Sequence, residues 1–207
     1  MKLLVATTNP GKLTEIKHYL SEIPIELVSL KDVGITDAVE ETGTTFEENA
    51  ILKAQHYAKE SGLMTLADDG GFEIDALGGE PGIKSHRWVH GDRESTDEEL
   101  IAHAFERMKN IPEGKRNAQL RLVLALVTGN GEVVATVEEK IRGIVPKAPS
   151  KTRSEGFPYR SILFIPEMNK YYDQNVMTIE EAQRYNHRKR ALERMKPYLL
   201  HVASGSV

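Results

Sequence analysis

Apolar and polar positions change period several times along the chain. Leu3 to Ala6 is a continuous apolar run that stops at the polar turn Thr7-Thr8-Asn9-Pro10-Gly11-Lys12, after which Leu13, Ile16, Tyr19 and Leu20 recur at helical spacing. A buried strand followed by a helix is predicted. Thr8 or Asn9 supplies the helix cap, and Pro10 suits a first turn that needs no backbone N–H. Ile25 to Leu30 suits a second strand. Helical period returns at Thr45-Phe46-Glu47-Glu48, which spells a capping box. Ala50, Ile51, Ala54, Tyr57 and Ala58 then form the apolar face, with Asn49, Lys53 and His56 on another side. Leu63 to Ala67 reads as a short buried strand that stops at Asp68. Leu120 to Thr128 and Glu132 to Val137 read as a hairpin over Gly129-Asn130-Gly131. A basic final helix is expected from about Thr178, opened by a second capping box to Glu181 and packed through Ile179, Ala182, Tyr185, Leu192 and Met195. The Pro- and Lys-containing piece from Val145 to Arg153 reads as a surface loop, and the last few residues as a disordered end. Alternating elements with no repeat, low-complexity tract or linker predict one α/β domain over residues 1–207.

Composition narrows the partners. With 207 residues and 40% hydrophobic content, the chain can build one sizeable core or two lobes around a cleft. A formal charge of -4 argues against a duplex-nucleic-acid binder, which needs a broad basic surface. There is no cysteine, hence no disulfide and no thiolate metal site. The apolar run after Lys2 is too short for a signal-peptide core, and no later run reaches membrane-spanning length. A soluble cytoplasmic protein with a small-molecule partner and no membrane contact is expected.

Two stretches carry candidate chemistry. In the first, the N–H groups of a helix start, the Thr7 and Thr8 hydroxyls, a close-approaching Gly11 and the Lys12 ammonium all favour an anion. The competing reading is an ordinary capped strand-to-helix turn with a solvated lysine. It is not a Walker A loop, because no glycine precedes Gly11 by five residues and Leu13 stands where a metal-binding Ser or Thr belongs. In the second, Asp68-Asp69-Gly70-Gly71 follows a strand, where carboxylates suit a divalent cation. Asp69 with one distant acid such as Glu41 suffices for Mg²⁺, which keeps water and phosphate as its other ligands. The competing reading is a turn whose acids accept backbone N–H groups.

These motifs in this order resemble the inosine triphosphate pyrophosphatase family: Thr7 to Lys12, the run E-T-G-T-T-F-E-E-N-A from Glu41 to Ala50, Lys53, A-D-D-G-G from Ala67 to Gly71, and A-L-G-G-E-P-G from Ala76 to Gly82. The likeness continues through Phe157-Pro158-Tyr159, Phe164-Ile165-Pro166-Glu167 and Asn186-His187-Arg188. It implies a mixed, elongated sheet flanked by helices around a central nucleotide cleft. It also implies an Mg²⁺-dependent hydrolase, in which water attacks the α-phosphorus of a non-canonical purine nucleoside triphosphate (ITP, dITP, XTP) and releases the monophosphate and pyrophosphate. By that likeness Thr7, Thr8, Asn9, Pro10, Gly11, Lys12 and Lys53 hold the triphosphate. Glu41 and Asp69 hold the metal, and Asp69 also accepts the proton of the attacking water, with Asp68 in support. His187 and Arg188 donate to the purine, and Phe157 or Tyr159 stacks on it. A homodimer is a further implication.

The base pocket departs from the family pattern. Where the family usually reads G-F-G-Y-D-P, the chain has Gly156-Phe157-Pro158-Tyr159-Arg160-Ser161, so the expected acid falls on Arg160 and one extra residue precedes Phe164. The lysine usual five residues before His187 is Ala182, the serine before His187 is Asn186, and the serine after the paired aspartates is Gly70. Loss of an acid and a lysine together implies hydrolysis with a weakened or shifted base preference, because polar readout carries most of the selectivity. Alternatively, Arg160 or Arg184 rebuilds a contact with a keto oxygen. Without the family likeness, His187 and Arg188 read as part of a solvated basic stripe, and Trp88 and His90 as structural or interfacial. Two other classes stay open: a kinase-like phosphotransferase, and a catalytically idle nucleotide-binding regulator.

Overall fold

The computed structural model describes residues 1–204; the end expected to be disordered lies partly outside them. Among the described residues seven strands form one mixed sheet: β1 (Lys2–Ala6), β2 (Glu26–Ser29), β3 (Met64–Ile74), β4 (Asn117–Val127), β5 (Val133–Ile144), β6 (Phe164–Ile165) and β7 (Lys170–Tyr171). Their order is β2-β1-β3-β4-β5-β6-β7. β1 runs parallel to β2 and β3, whereas β5, β6 and β7 pair antiparallel. The helices are α1 (Pro10–Tyr19), α2 (Phe46–Ser61), α3 (Asp97–Met108), α4 (Ile179–Tyr185) and α5 (His187–Ala203). The α/β class and mixed sheet agree with the sequence reading.

The chain divides into two compact units. The first comprises residues 1–69, 122–139 and those from 188 onward, and the second residues 70–121 and 140–187. In the first unit the sheet is covered on both faces, which explains why its strands read as unbroken apolar runs. Strand side chains alternate between faces. Leu3, Val5, Leu66, Leu122 and Leu124 therefore meet Ile16 and Leu20 of α1 and Leu192 and Met195 of α5. Leu4, Ala6, Ala67, Val123 and Ala125 meet Phe46, Ala50, Ala54 and Ala58 of α2. The capping box of α2 forms as read, with Thr45 accepting from the Glu48 N–H, a device worth about 1 kcal/mol.

The second unit packs around Phe72, Ile74, Leu100, Ala104, Met108, Tyr159, Ile162, Leu163 and Tyr172. Arg116 is buried there and donates to the carbonyls of Met108, Ile111, Val145 and Pro146, fixing the root of the 145–153 loop with backbone acceptors alone. The loop is otherwise mostly exposed, as expected, apart from Val145, which is buried in the core.

Three local expectations are corrected. The strand beginning at Met64 does not stop at Asp68 but runs through Asp68-Asp69-Gly70-Gly71 to Ile74. Phe72 and Ile74 supply a fresh buried face beyond the glycines, and Gly71 is needed there because a Cβ would lie 2.2 Å from Ser85 Oγ and 2.5 Å from the Gly82 carbonyl. The basic final helix is two helices, broken at Asn186, whose ψ of 99° is extended. Ile179 does not join a packed face but is 80% exposed, since it occupies the first turn beside the Thr178 cap. Helix α3 and strands β6 and β7 were not foreseen, although Thr96 and Glu99 complete a third capping box.

Candidate active site

In the first unit, β1 delivers its end to the turn before α1. Asn9 is the cap, and its side-chain oxygen accepts from the N–H groups of Gly11 and Lys12 at 2.9 and 3.2 Å. Those two N–H groups, expected to face an anion, are therefore taken by the cap. Thr7 Oγ1 accepts from the Asn9 N–H, and Thr8 and Pro10 are exposed.

Asp68 and Asp69 are consecutive strand residues, so their carboxylates leave on opposite faces of the sheet. Asp68 shares its face with Leu66, on the side of α1 and α5. There it meets Lys12 Nζ at 3.0 Å and Arg188 Nη1 at 2.7 Å, while Glu15 Oε2 lies 2.9 Å from Arg188 Nε. Burial alone would raise the Asp68 carboxyl, but Lys12, Arg188 and Lys53 outweigh it and hold it well below the carboxylate range. Arg188, expected to donate to a purine, lies here against two acids. Glu15 escaped the sequence reading, although it lies three residues after Lys12 and so on the same side of a helix.

Asp69 shares its face with Ala67, on the side of α2. Lys53 reaches across from α2 and places Nζ 3.1 Å from Asp69 Oδ1 and 2.6 Å from Glu41 Oε1. Burial raises the Asp69 carboxyl above its ordinary value; Lys53 pulls it down, but Glu41 pushes it up again. For Lys53, burial opposes the charge and Asp69 with Glu41 more than restores it, so the ammonium is held firmly protonated. Asp69 Oδ2 is buried and has no hydrogen-bond partner. A buried carboxylate oxygen left in this state invites a cation or a proton donor, so the donor set of Asp69 and Glu41 fits a hard divalent ion. Among the described residues no cluster of three or more acids and histidines forms, and such an ion would complete its shell with other oxygens.

In the second unit, Gly70 continues β3, and the segment after Gly156 forms a 3-10 turn over Pro158–Ser161. Tyr159, a candidate stacking ring, lies inside the core. It stacks on Phe72 at 4.8 Å between centroids, and its hydroxyl donates to the Ser85 carbonyl at 2.6 Å. Phe157 is half-buried, and the Arg160 guanidinium covers one of its faces at 3.6 Å. Pro158 and Arg160 are buried. His187 is also buried, and its Nδ1 lies 2.7 Å from the hydroxyl of Tyr172, a residue the sequence reading passed over. Trp88 sits between His103 and Arg107 and donates to Glu80, and His90 meets Glu99. No helix among the described residues is long and apolar enough to cross a membrane.

A mixed α/β sheet with a buried acid and lysine centre on α1, α2 and β3 defines the class. The chain belongs to the Ham1 family, whose model matches residues 3–198. It is 42% identical over 193 residues to a dITP/XTP pyrophosphatase of Thermus thermophilus, covering 93% of this chain and 88% of that protein. It is 37% identical to the dITP/XTP pyrophosphatase of Clostridium perfringens, covering 96% and 97%. The structure of a HAM1 protein from Coxiella burnetii superposes with a TM-score of 0.83 at 30% identity, over 97% of this chain and 98% of that one. A nucleoside-triphosphatase, dITP/XTP pyrophosphatase, from Mycobacterium abscessus superposes with a TM-score of 0.73 at 37% identity, over 95% and 100%.

Proposed function

We infer that the protein hydrolyses non-canonical purine nucleoside triphosphates, dITP, XTP and ITP, to the monophosphate and pyrophosphate, with residues 1–207 working as one catalytic domain. The observation that carries this reading is the buried Asp69 carboxylate, raised in pKa, with one oxygen lacking a hydrogen-bond partner and the other held by Lys53 beside Glu41. A carboxylate raised by burial holds a proton more strongly than a free one and is the better base for it. The names of the relatives support the substrate class.

In the proposed reaction Asp69 accepts a proton from the attacking water. The water oxygen bonds to the α-phosphorus, and the bond from that phosphorus to the bridging oxygen of the pyrophosphate breaks. Lys12 and Lys53, together with the Thr7, Thr8, Asn9, Pro10 and Gly11 turn, bind the triphosphate and offset the charge that develops on it. Glu41 and Asp69 would hold Mg²⁺, which when bound neutralises phosphate oxygens and acidifies water. Asp68 acts as a brace, fixing Lys12 against Arg188. Gly70, Phe157, Pro158, Tyr159, Arg160 and His187 serve the base, Tyr159 by holding the Pro158–Ser161 turn from inside. Arg160 in place of an acid supports a base preference shifted from that of the relatives. The absence of cysteine and the charge of -4 support a cytoplasmic protein without nucleic-acid or membrane partners, and the family supports a homodimer.

The test is purified protein with Mg²⁺ and a panel of inosine, deoxyinosine, xanthosine, adenosine and guanosine triphosphates, with products resolved by ion-exchange chromatography. Monophosphate plus pyrophosphate from the inosine, deoxyinosine and xanthosine members, lost in Asp69→Asn, is the expected result. Orthophosphate plus diphosphate, or binding without turnover, refutes it.

A further inference from the structure

Helix α2 carries Asn49, Lys53 and Tyr57 at successive four-residue steps, along one row of its surface. Each of them meets the segment that precedes the helix. The Asn49 side-chain oxygen accepts from the Gly43 N–H at 2.8 Å, and Lys53 meets Glu41 at 2.6 Å. The Tyr57 hydroxyl donates to the Asp37 carbonyl at 3.0 Å and accepts from the Val39 N–H at 3.4 Å. Residues 35–43 hold no turn, helix or strand, so they form an extended strap running antiparallel to α2. Two lengths set the register. The four extended steps from Val39 to Gly43 span about 13 Å, and the eight helical steps from Asn49 to Tyr57 span about 12 Å. Glu41 therefore stands midway between two fixed points, opposite Lys53.

The strap is thinly packed. Thr36, Asp37 and Ala38 are exposed, and a cavity of about 1330 Å³ opens beside them, lined by Asp37, Val39, Ile51, Leu52, Gln55 and His56 among others. Asn49 and Tyr57 are by contrast buried, so the points that hold the strap are rigid. Gly43 suits its end of the strap, because a Cβ there would lie 2.6 Å from Asn49 Oδ1. A buried amide or hydroxyl needs a partner in any fold. Here the partners Val39 and Gly43 lie two residues from Glu41, one on each side. We propose that Asn49 and Tyr57 are positioning residues for Glu41: they clamp the strap on both sides of it and hold its carboxylate beside Lys53 and Asp69, ready for a divalent cation. The proposal rests on the pyrophosphatase reading for the metal. A carboxylate already fixed by folding loses less freedom when it takes up an ion than one on a loose strap, and both residues act through Glu41.

The test is Tyr57→Phe, which keeps the buried ring and removes only the hydroxyl, made both in the parent and in Glu41→Gln. Mn²⁺ alone is the probe, with binding followed by electron paramagnetic resonance. Tyr57→Phe is expected to weaken Mn²⁺ binding about fivefold in the parent, the worth of one hydrogen bond, and to change nothing once Glu41 is replaced. Asn49→Leu, which cuts the other point, should give the same pattern. Hydrogen exchange of the Val39 amide should quicken in Tyr57→Phe, with that of Leu4 in β1 unchanged. Unaltered Mn²⁺ binding in Tyr57→Phe, equal weakening in both backgrounds, or unaltered exchange at Val39 overturns the proposal. The products from inosine triphosphate decide the pyrophosphatase reading separately: a parent that binds Mn²⁺ with this pattern and yields no monophosphate overturns that reading and leaves the clamp standing.

Discussion

Replacing Asp68 with asparagine removes the charge that two buried cations share while nearly preserving shape. The Asp68 side chain is 1% exposed, Arg188 5% and Lys12 15%. Removing one partner of a buried ion pair costs about 3–5 kcal/mol, because the remaining charge is left without water or counter-ion. Two features pull the value to the lower end: Glu15 stays 2.9 Å from Arg188, and Lys12 retains some water. The expected loss is about 3 kcal/mol. For a chain of this length that lowers Tm by about 6–12 °C. Urea unfolding of parent, Asp68→Asn, Arg188→Met and the double variant measures both the loss and the coupling, and the double variant should lose less than the sum of the singles. The pH dependence has a definite sign. The Asp68 carboxyl is depressed in the folded protein, so its contribution is fully present above the unfolded value of about 3.9 and is lost as pH falls toward the folded one. The gap between parent and variant is therefore flat from neutrality down to about pH 4 and closes only below it. A loss under about 1 kcal/mol, the range of a solvated surface pair, would refute the brace.

Other substitutions separate the roles of neighbouring residues. Asp69→Asn should lower kcat by about a thousandfold, the scale of a lost general base. It should leave Tm of the metal-free protein unchanged or higher, since a carboxyl raised by burial costs folding stability above its folded pKa; a lower Tm would contradict burial as the main cause. Lys53→Met frees Glu41 and Asp69 from the ammonium, so Mn²⁺ binding followed by electron paramagnetic resonance should tighten while kcat/KM falls. Weaker Mn²⁺ binding would show that the lysine does not compete for those oxygens. Gly71→Ala drives a Cβ into Ser85 and the Gly82 carbonyl, and urea unfolding should show a loss of about 1–3 kcal/mol.

Local rules made much of the fold legible. Asn9 and Thr45 announce their helices because a cap needs only residues a turn away, and both helices start where the motifs say. Leu3 to Ala6 reads as a strand because both its faces are covered. Misreadings came where local and distant demands conflict. Gly70 and Gly71 look like a strand's end, yet Gly71 is there to let Ser85 approach, and only the alternation of Phe72 and Ile74 beyond hints at continuity. Ile179 fits a helical stripe but sits at a helix's first turn with nothing over it. The same limit applies to the site. Lys53 and Glu41 could be picked out by type and spacing, but the division of Asp68 and Asp69 between two faces becomes visible only once the strand is known to continue. Tyr159 buried against Phe72, and Tyr172 bonded to His187, are contacts between distant segments with no signature in the residues around them.

Hydrolysis is proposed to proceed by attack of water on the α-phosphorus, with the bond to the bridging oxygen of pyrophosphate broken. Hydrolysis of inosine triphosphate by the Mg²⁺-loaded protein in water enriched in heavy oxygen, followed by mass spectrometry of both products, tests it most directly. One labelled oxygen in inosine monophosphate and none in pyrophosphate is the expected result. Label in pyrophosphate, or labelled orthophosphate beside inosine diphosphate, would contradict it.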